Sequence, residues 1–216
     1  MKISLDIDLL KKEASAFSIL QTDHLEPSLF GVTDGKAVGT YLEHKFQDHL
    51  QKKYQYSVGS SAYGLDFPSL NIDIKVTSIR QPQSSCPFRS ARQKIYGLGY
   101  GLIVFVYNKT DDENIRAAKL EICHTIYIDK SRTSDFQLTT QLRKILSNSG
   151  NIDDIMALFH DRNLPIDEIE SLSLAQEVLK NPPEIGYLTI SNALQWRLQY
   201  QRAIDNSGKI DGVDSL

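Results

Sequence analysis

The chain has 216 residues, 41% of them hydrophobic and 24% charged, with a formal net charge of −3. That length predicts one large domain with its own core, and the composition excludes wholesale disorder. The longest strongly apolar run, 102–107, is too short to span a bilayer, and Asp6 and Asp8 interrupt the stretch a secretory leader would need. Cys86 and Cys123 have no partners at metal-ligand spacing, which argues against a disulfide scaffold or a cysteine-held zinc and for a cytoplasmic setting.

The charge is unevenly placed. Residues 74–110 carry six basic side chains and no acid, inside a chain whose remainder sums to −9. A local positive surface on an acidic body suits an anionic ligand held at one place, while a solvated loop with a chance excess gives the same count.

Taken in order, 5–20 predicts a helix, and 23–34, with Pro27 and Gly31, a loop. Residues 35–54 form a stronger helix, with Val38, Leu42, Phe46 and Leu50 recurring every four positions. A short strand is expected at 56–58. Residues 71–77 alternate, with Ile72, Ile74 and Val76 on one side and Asn71, Asp73, Lys75 and Thr77 on the other. A loop at 81–87, a helix at 89–98, a doubly buried strand at 102–107 and a strand at 119–128 follow. Helices are expected at 135–147, 151–161 and 167–180, the last two with an acidic outer face, then a strand at 186–190 and a helix at 192–205. The five glycine-spaced residues 97–101 follow a helix and enter a strand, the reverse of a dinucleotide fingerprint, and read as a helix stop. The sum is an α/β fold, a mixed central sheet flanked by helices, with a core at about 36–130 and a helical C-terminal addition at 131–216 of the same domain.

Four side chains carry a chemical pattern. Asp73 and Lys75, two apart on a strand, project from one face; a surface ion pair would look the same. Asp66 precedes them by seven residues, which a tight turn can fold back. Glu43 edges the buried stripe of its helix, where an acid needs a partner or a cation. Three convergent carboxylates and a lysine form an oxygen cage for Mg²⁺, which would polarise a phosphodiester and acidify a water that the lysine orients, helps deprotonate or backs with positive charge.

Asp66, Asp73-Ile74-Lys75, the upstream helical Glu43 and the helix and strand of 89–107 resemble the PD-(D/E)XK nuclease superfamily, and within it the type II restriction endonucleases. The resemblance covers about 36–107 in order and spacing. It departs from the pattern at Pro68, which follows Asp66 where the motif has proline before the acid. It implies a restriction-endonuclease-like core built as helix, hairpin, helix and strand, and Mg²⁺-dependent hydrolysis of DNA. Asp66, Asp73 and Glu43 match the metal-binding and catalytic acids, Lys75 the catalytic lysine, and Gln93 the glutamine some relatives carry in the following helix.

Ser84, Ser85, Arg89, Arg92 and Lys94 follow the catalytic strand and are candidate phosphate contacts; the plain alternative is a capped helix. In the last expected helix Asn192, Gln195, Gln199 and Arg202 fall on one stripe, and such side chains pair with base edges in the major groove. The expectation is a Mg²⁺-dependent, sequence-specific endonuclease for double-stranded DNA, acting as a homodimer, with no membrane and no organic cofactor. A repair or junction-resolving nuclease and a silent DNA-binding domain on the same core are the rivals.

Overall fold

The structure, a computed structural model, describes residues 2–57, 59, 64–86, 89–191 and 196–216. In chain order its elements are β1 (Ile3–Ser4), α1 (Ile7–Thr22), β2 (Leu25–Glu26), α2 (Gly35–Lys53), β3 (Tyr54–Gln55), β4 (Ile72–Ser78) and β5 (Gln83–Cys86). There follow α3 (Arg92–Tyr96), β6 (Gly101–Asp112), β7 (Ala117–Ile128), α4 (Phe136–Ser147), α5 (Ile152–Asp161) and α6 (Glu168–Lys180). The chain finishes with β8 (Thr189–Ile190), β9 (Trp196–Gln199), α7 (Gln201–Asn206) and β10 (Val213–Ser215). This is a mixed α/β fold. Among the described residues no helix is long and apolar enough to cross a membrane.

The chain divides into two compact units, one of Met1–Ser84, Gly101–Ile128 and Asn206–Leu216, the other of Ser85–Tyr100 and Asp129–Asp205. The first is built on a sheet ordered β10-β7-β6-β4, with β2 also on β7. β4 and β6 run parallel, and β6–β7 and β10–β7 are antiparallel, so the sheet is mixed. Residues 101–107 of β6 are buried on both faces, as their unbroken apolar run requires. The helix predicted at 35–54 forms as α2, capped by Asp34, whose side chain accepts from the Lys36 amide. Its four-residue stripe Val38, Leu42, Phe46 and Leu50 is buried. Phe46 lies 5.1 Å from both Phe17 of α1 and Phe105 of β6, ring centroid to ring centroid, and Phe67 closes the aromatic cluster.

The second unit is mainly helical, with the short antiparallel pair β8–β9 beside its helices in sequence. Ala91, Ile95, Leu138, Leu142, Ile155, Phe159, Leu174, Ala175 and Val178 share its core. Asp135 caps α4 by accepting from the Leu138 amide at 2.9 Å, and its second oxygen accepts from the Ile190 amide at 2.8 Å. A capping box of Asn151 and Asp154 starts α5.

Several expectations give way to other physics. The helix at 192–205 is instead β9 followed by the short α7. Trp196, Leu198 and Tyr200 are buried while Arg197 and Gln199 are exposed, so a period of two overrides the helical spacing. Asn192 and Gln195 lie outside the described residues. The loop at 81–87 contains β5, set by Thr77, whose hydroxyl accepts from the Gln83 amide at 2.9 Å. The helix at 89–98 shrinks to the five residues of α3, stopped by Gly97 at φ 87°. A Cβ on Gly97 would meet the Lys130 carbonyl at 2.7 Å, so the stop requires glycine. The short strand at 56–58 lies earlier, at β3, which pairs in parallel with β1; Val58 is outside the described residues. The outer face of α5 is acidic, with Asp153, Asp154 and Asp161 exposed. That of α6 is acidic only in its first turn, where Glu168 and Glu170 are exposed; it also exposes Ile169, Leu172 and Leu179.

Candidate active site

β4 carries the site. Its parallel register sets Asp73 level with Leu102 and Lys75 level with Val104, both fully buried apolar residues of β6. Asp73 is itself only 6% exposed. With no polar group on the neighbouring strand to turn to, the two charges satisfy each other: the Lys75 ammonium donates to Asp73 Oδ2 at 2.5 Å. Burial disfavours the Lys75 cation, but Asp73, with Asp66 and Glu43 behind it, outweighs that and lifts its pKa above the ordinary lysine range.

The turn before β4 delivers Asp66. Gly64 takes φ 64°, and Phe67 and Ile72 exchange backbone hydrogen bonds of 3.0 and 3.2 Å, folding 64–67 back onto the start of the strand. Asp66 Oδ2 accepts from the Ile74 amide at 2.8 Å, and Oδ1 from Gln47 Nε2 at 3.3 Å. The Asp66 backbone carbonyl accepts from the Gly59 amide at 2.9 Å. A Cβ on Gly59 would stand 1.7 Å from the Leu65 carbonyl oxygen, so that approach is open to glycine alone.

Thus held, the Asp66 carboxyl meets that of Asp73. Burial first, and then the hydrogen bond and charge of Asp73, push Asp66 up to about 7, against the opposing Ile74 amide. Glu43, on α2, is also raised, chiefly by burial and further by Asp73, while Lys75 pulls it down. Gln47 lies one helical turn beyond Glu43 on the same face. Sequence reading missed it, although that spacing from an acid already singled out was the signal.

The four residues Glu43, Asp66, Asp73 and Lys75 therefore act on one another, with one correction to the expected cage. Among the described residues no group of three His, Cys, Asp or Glu side chains could hold a metal ion. Glu43 acts through its charge, and the closely placed acids are Asp66 and Asp73. Two adjacent carboxyls, Asp73 buried and Asp66 half-buried with its pKa raised, are a donor set a divalent cation would suit, and Mg²⁺ needs only one or two carboxylates.

The basic segment is less available than its composition suggests. Arg92 is held by Glu177, with Nε at 3.2 and 3.1 Å from its two oxygens and Nη2 at 2.6 Å from one, and it stacks 4.5 Å from the Tyr96 ring. Lys94 is buried, 5.7 Å over the Trp196 ring, which is no position for a phosphate contact. Lys109 pairs with Asp111, as Lys75 does with Asp73. Arg80, Arg89 and Ser85 are exposed, and Ser84 is half-buried on β5. Gln93 donates to the Leu98 carbonyl at 3.2 Å, ending α3. Of the expected base-reading stripe only Gln199 and Arg202 are described, and they do not share a helix: Gln199 is exposed on β9, and the Arg202 guanidinium of α7 lies 3.7 Å from the Phe136 ring.

Comparison with known proteins places the chain among enzymes. The family model described as type II restriction enzyme NspV matches residues 4–215. A curated type II restriction enzyme NspV from Nostoc sp. (strain ATCC 29411 / PCC 7524) is 59% identical over 209 residues, covering 97% of this chain and 95% of that protein. No solved structure matches.

Proposed function

The chain belongs to the NspV family of type II restriction enzymes, site-specific deoxyribonucleases, and we propose that it cuts double-stranded DNA by Mg²⁺-dependent hydrolysis centred on Asp66, Asp73 and Lys75. The observation that carries this reading is the cluster in which Asp73 is bonded to Lys75 and meets Asp66. It is the constellation of a PD-(D/E)XK core, and we assign the fold to that restriction-endonuclease-like class.

Asp66 and Asp73 would hold the Mg²⁺ ion, which when bound supplies Lewis-acid polarisation of the scissile phosphodiester. Lys75, kept as an ammonium by Asp73, donates to the attacking water and meets the negative charge that builds on the phosphoryl oxygens. Gln47 and the Ile74 amide fix both oxygens of Asp66, so its carboxylate is aimed before substrate arrives. Glu43 adds negative potential that favours the charged lysine. Ser85 and Arg89, exposed at the start of the following segment, contact phosphates. The enzyme works as a homodimer whose two-fold matches a palindromic site, one centre to each strand.

The test is a digest of mixed plasmid and phage DNA with Mg²⁺. Wild type gives discrete bands, and Lys75→Ala loses at least about 10³-fold in rate while retaining cognate binding in a gel shift. Cutting by Lys75→Ala at near wild-type rate removes this lysine from the mechanism, and a smear from wild type removes sequence specificity.

A further inference from the structure

Helix α6 is apolar on two sides. Ser171, Leu174, Ala175 and Val178 are buried towards the core of their unit. Ile169, Leu172 and Leu179 nevertheless stand in solvent at 81%, 42% and 37% exposure. With the exposed Gln176 they are spaced three, four and three residues apart, within about 80° of one another at 100° per residue, and turned away from the buried side. That spacing is the seam two helices share when they pack side by side, and one amide among apolar residues fixes the register of such a seam.

We propose that this face is where a second copy of the chain docks, α6 against α6, antiparallel across a two-fold axis. The proposal names the surface of the homodimer put forward above and rests on that reading. The order of residues fits its own reversal. With the axis level with Leu174, Ile169 falls opposite the partner's Leu179, Leu172 opposite the partner's Gln176, and Glu168 level with the partner's Lys180. Every apolar residue of the seam then meets a seam residue of the other copy, as an isologous interface requires.

Charge selects the same direction. The N-terminal end of α6 carries Asp167, Glu168 and Glu170, and the last turn carries Lys180. A parallel pair would stack the acids on one another. The antiparallel pair sets each acidic end level with the partner's Lys180 and opposes the two macrodipoles. Beside the N-terminal end a cleft of about 490 Å³, walled in part by Met156, Phe159 and Ile166, extends the apolar surface where the partner's last turn arrives.

The test is sedimentation of the full chain without DNA. Wild type is a dimer, Leu172→Glu weakens dimerisation by about 100-fold, and Leu172→Glu with Gln176→Lys recovers most of that because the new charges face each other across the axis. Leu172 points into solvent, so Leu172→Glu keeps the wild-type far-ultraviolet spectrum and, at concentrations where both are monomeric, the melting temperature; Leu179→Lys is the second disrupting variant. A wild-type dimer that both single variants leave intact overturns the α6 interface and spares the homodimer. A monomeric wild type overturns both.

Discussion

Both units depart from apolar inside and polar outside, and one departure in each is instructive because the two differ in kind. The sheet unit takes charge inward: Glu13 and Asp73 are each 6% exposed, and each is met by partners. The helical unit leaves apolar groups outward, on α6, although its own core is complete without them. Each departure has a cost. Buried charge forfeits hydration, and exposed leucine and isoleucine forfeit the gain of burial. Asp73 belongs to the centre proposed to hold an ion, whereas Glu13 is satisfied by its own partners, and the α6 face is the surface proposed for a second chain.

The largest way to break the comparison is Phe46→Ala. Phe46 sits fully buried between α1, α2 and β6, and its loss should destabilise by about 3–5 kcal/mol in urea unfolding. A cost below about 1 kcal/mol would mean that the aromatic cluster is not the floor on which the charged groups rest.

Glu13 tests the inward charges. Burial alone would raise it, but hydrogen bonds from Lys53 at 2.7 Å, His49 at 2.7 Å and Tyr54 at 2.8 Å outweigh that and hold it at about 2. Because its folded pKa is depressed from 4.5, the stability it contributes is present above that value and is lost as pH falls from there towards 2. Glu13→Ala should cost about 2–3 kcal/mol at pH 7, discounted for the half-exposed Lys53, and should flatten the acid limb of a stability–pH profile. An acid limb identical in wild type and variant would assign it to other carboxylates.

Gln47→Ala should act on rate and not on folding. It frees one oxygen of Asp66, so kcat should fall about tenfold with the DNA dissociation constant unchanged, and Gln47→Asn should not rescue it because the amide no longer reaches. An equal loss in Gln47→Ala of DNA binding alone would make it a substrate contact. Smallest of all, Leu172→Ser should leave the unfolding free energy in urea, measured at a protein concentration where both chains are monomeric, within about 0.5 kcal/mol of wild type, since the side chain it shortens already faces solvent in the single chain.

Legibility followed periodicity. The stripe of α2 and the alternation of β4 were readable because each repeats over several residues. Those two elements supplied Glu43, Asp73 and Lys75, and spacing supplied Asp66. The short elements were not readable. β9 has four residues, and in Trp196-Arg197-Leu198-Gln199 the helical and strand patterns both find support until burial decides. The positive segment is less free than its count for two reasons: Lys75 and Lys109 are paired by Asp73 and Asp111, just outside the window counted, and Arg92 by Glu177, which no local count can register. Gln47 was hidden because an amide carries no charge to draw attention, although it lay one turn from Glu43.

The division of the chain itself has a consequence in time. The sheet unit is assembled from three separate stretches and the helical unit from two, so the backbone passes from one to the other four times. Neither can be cut out as a continuous fragment, and a library of terminal truncations should yield no minimal nuclease. β7 ends at Ile128, yet its partner β10 begins only at Val213, after the whole of α4, α5 and α6 has been synthesised. Pairings so far apart in sequence are slow to form. The sheet that carries Asp73 and Lys75 therefore gains its last strand only after the helical unit is complete, so a nascent chain on the ribosome carries every side chain of the proposed centre before the sheet beneath them is closed.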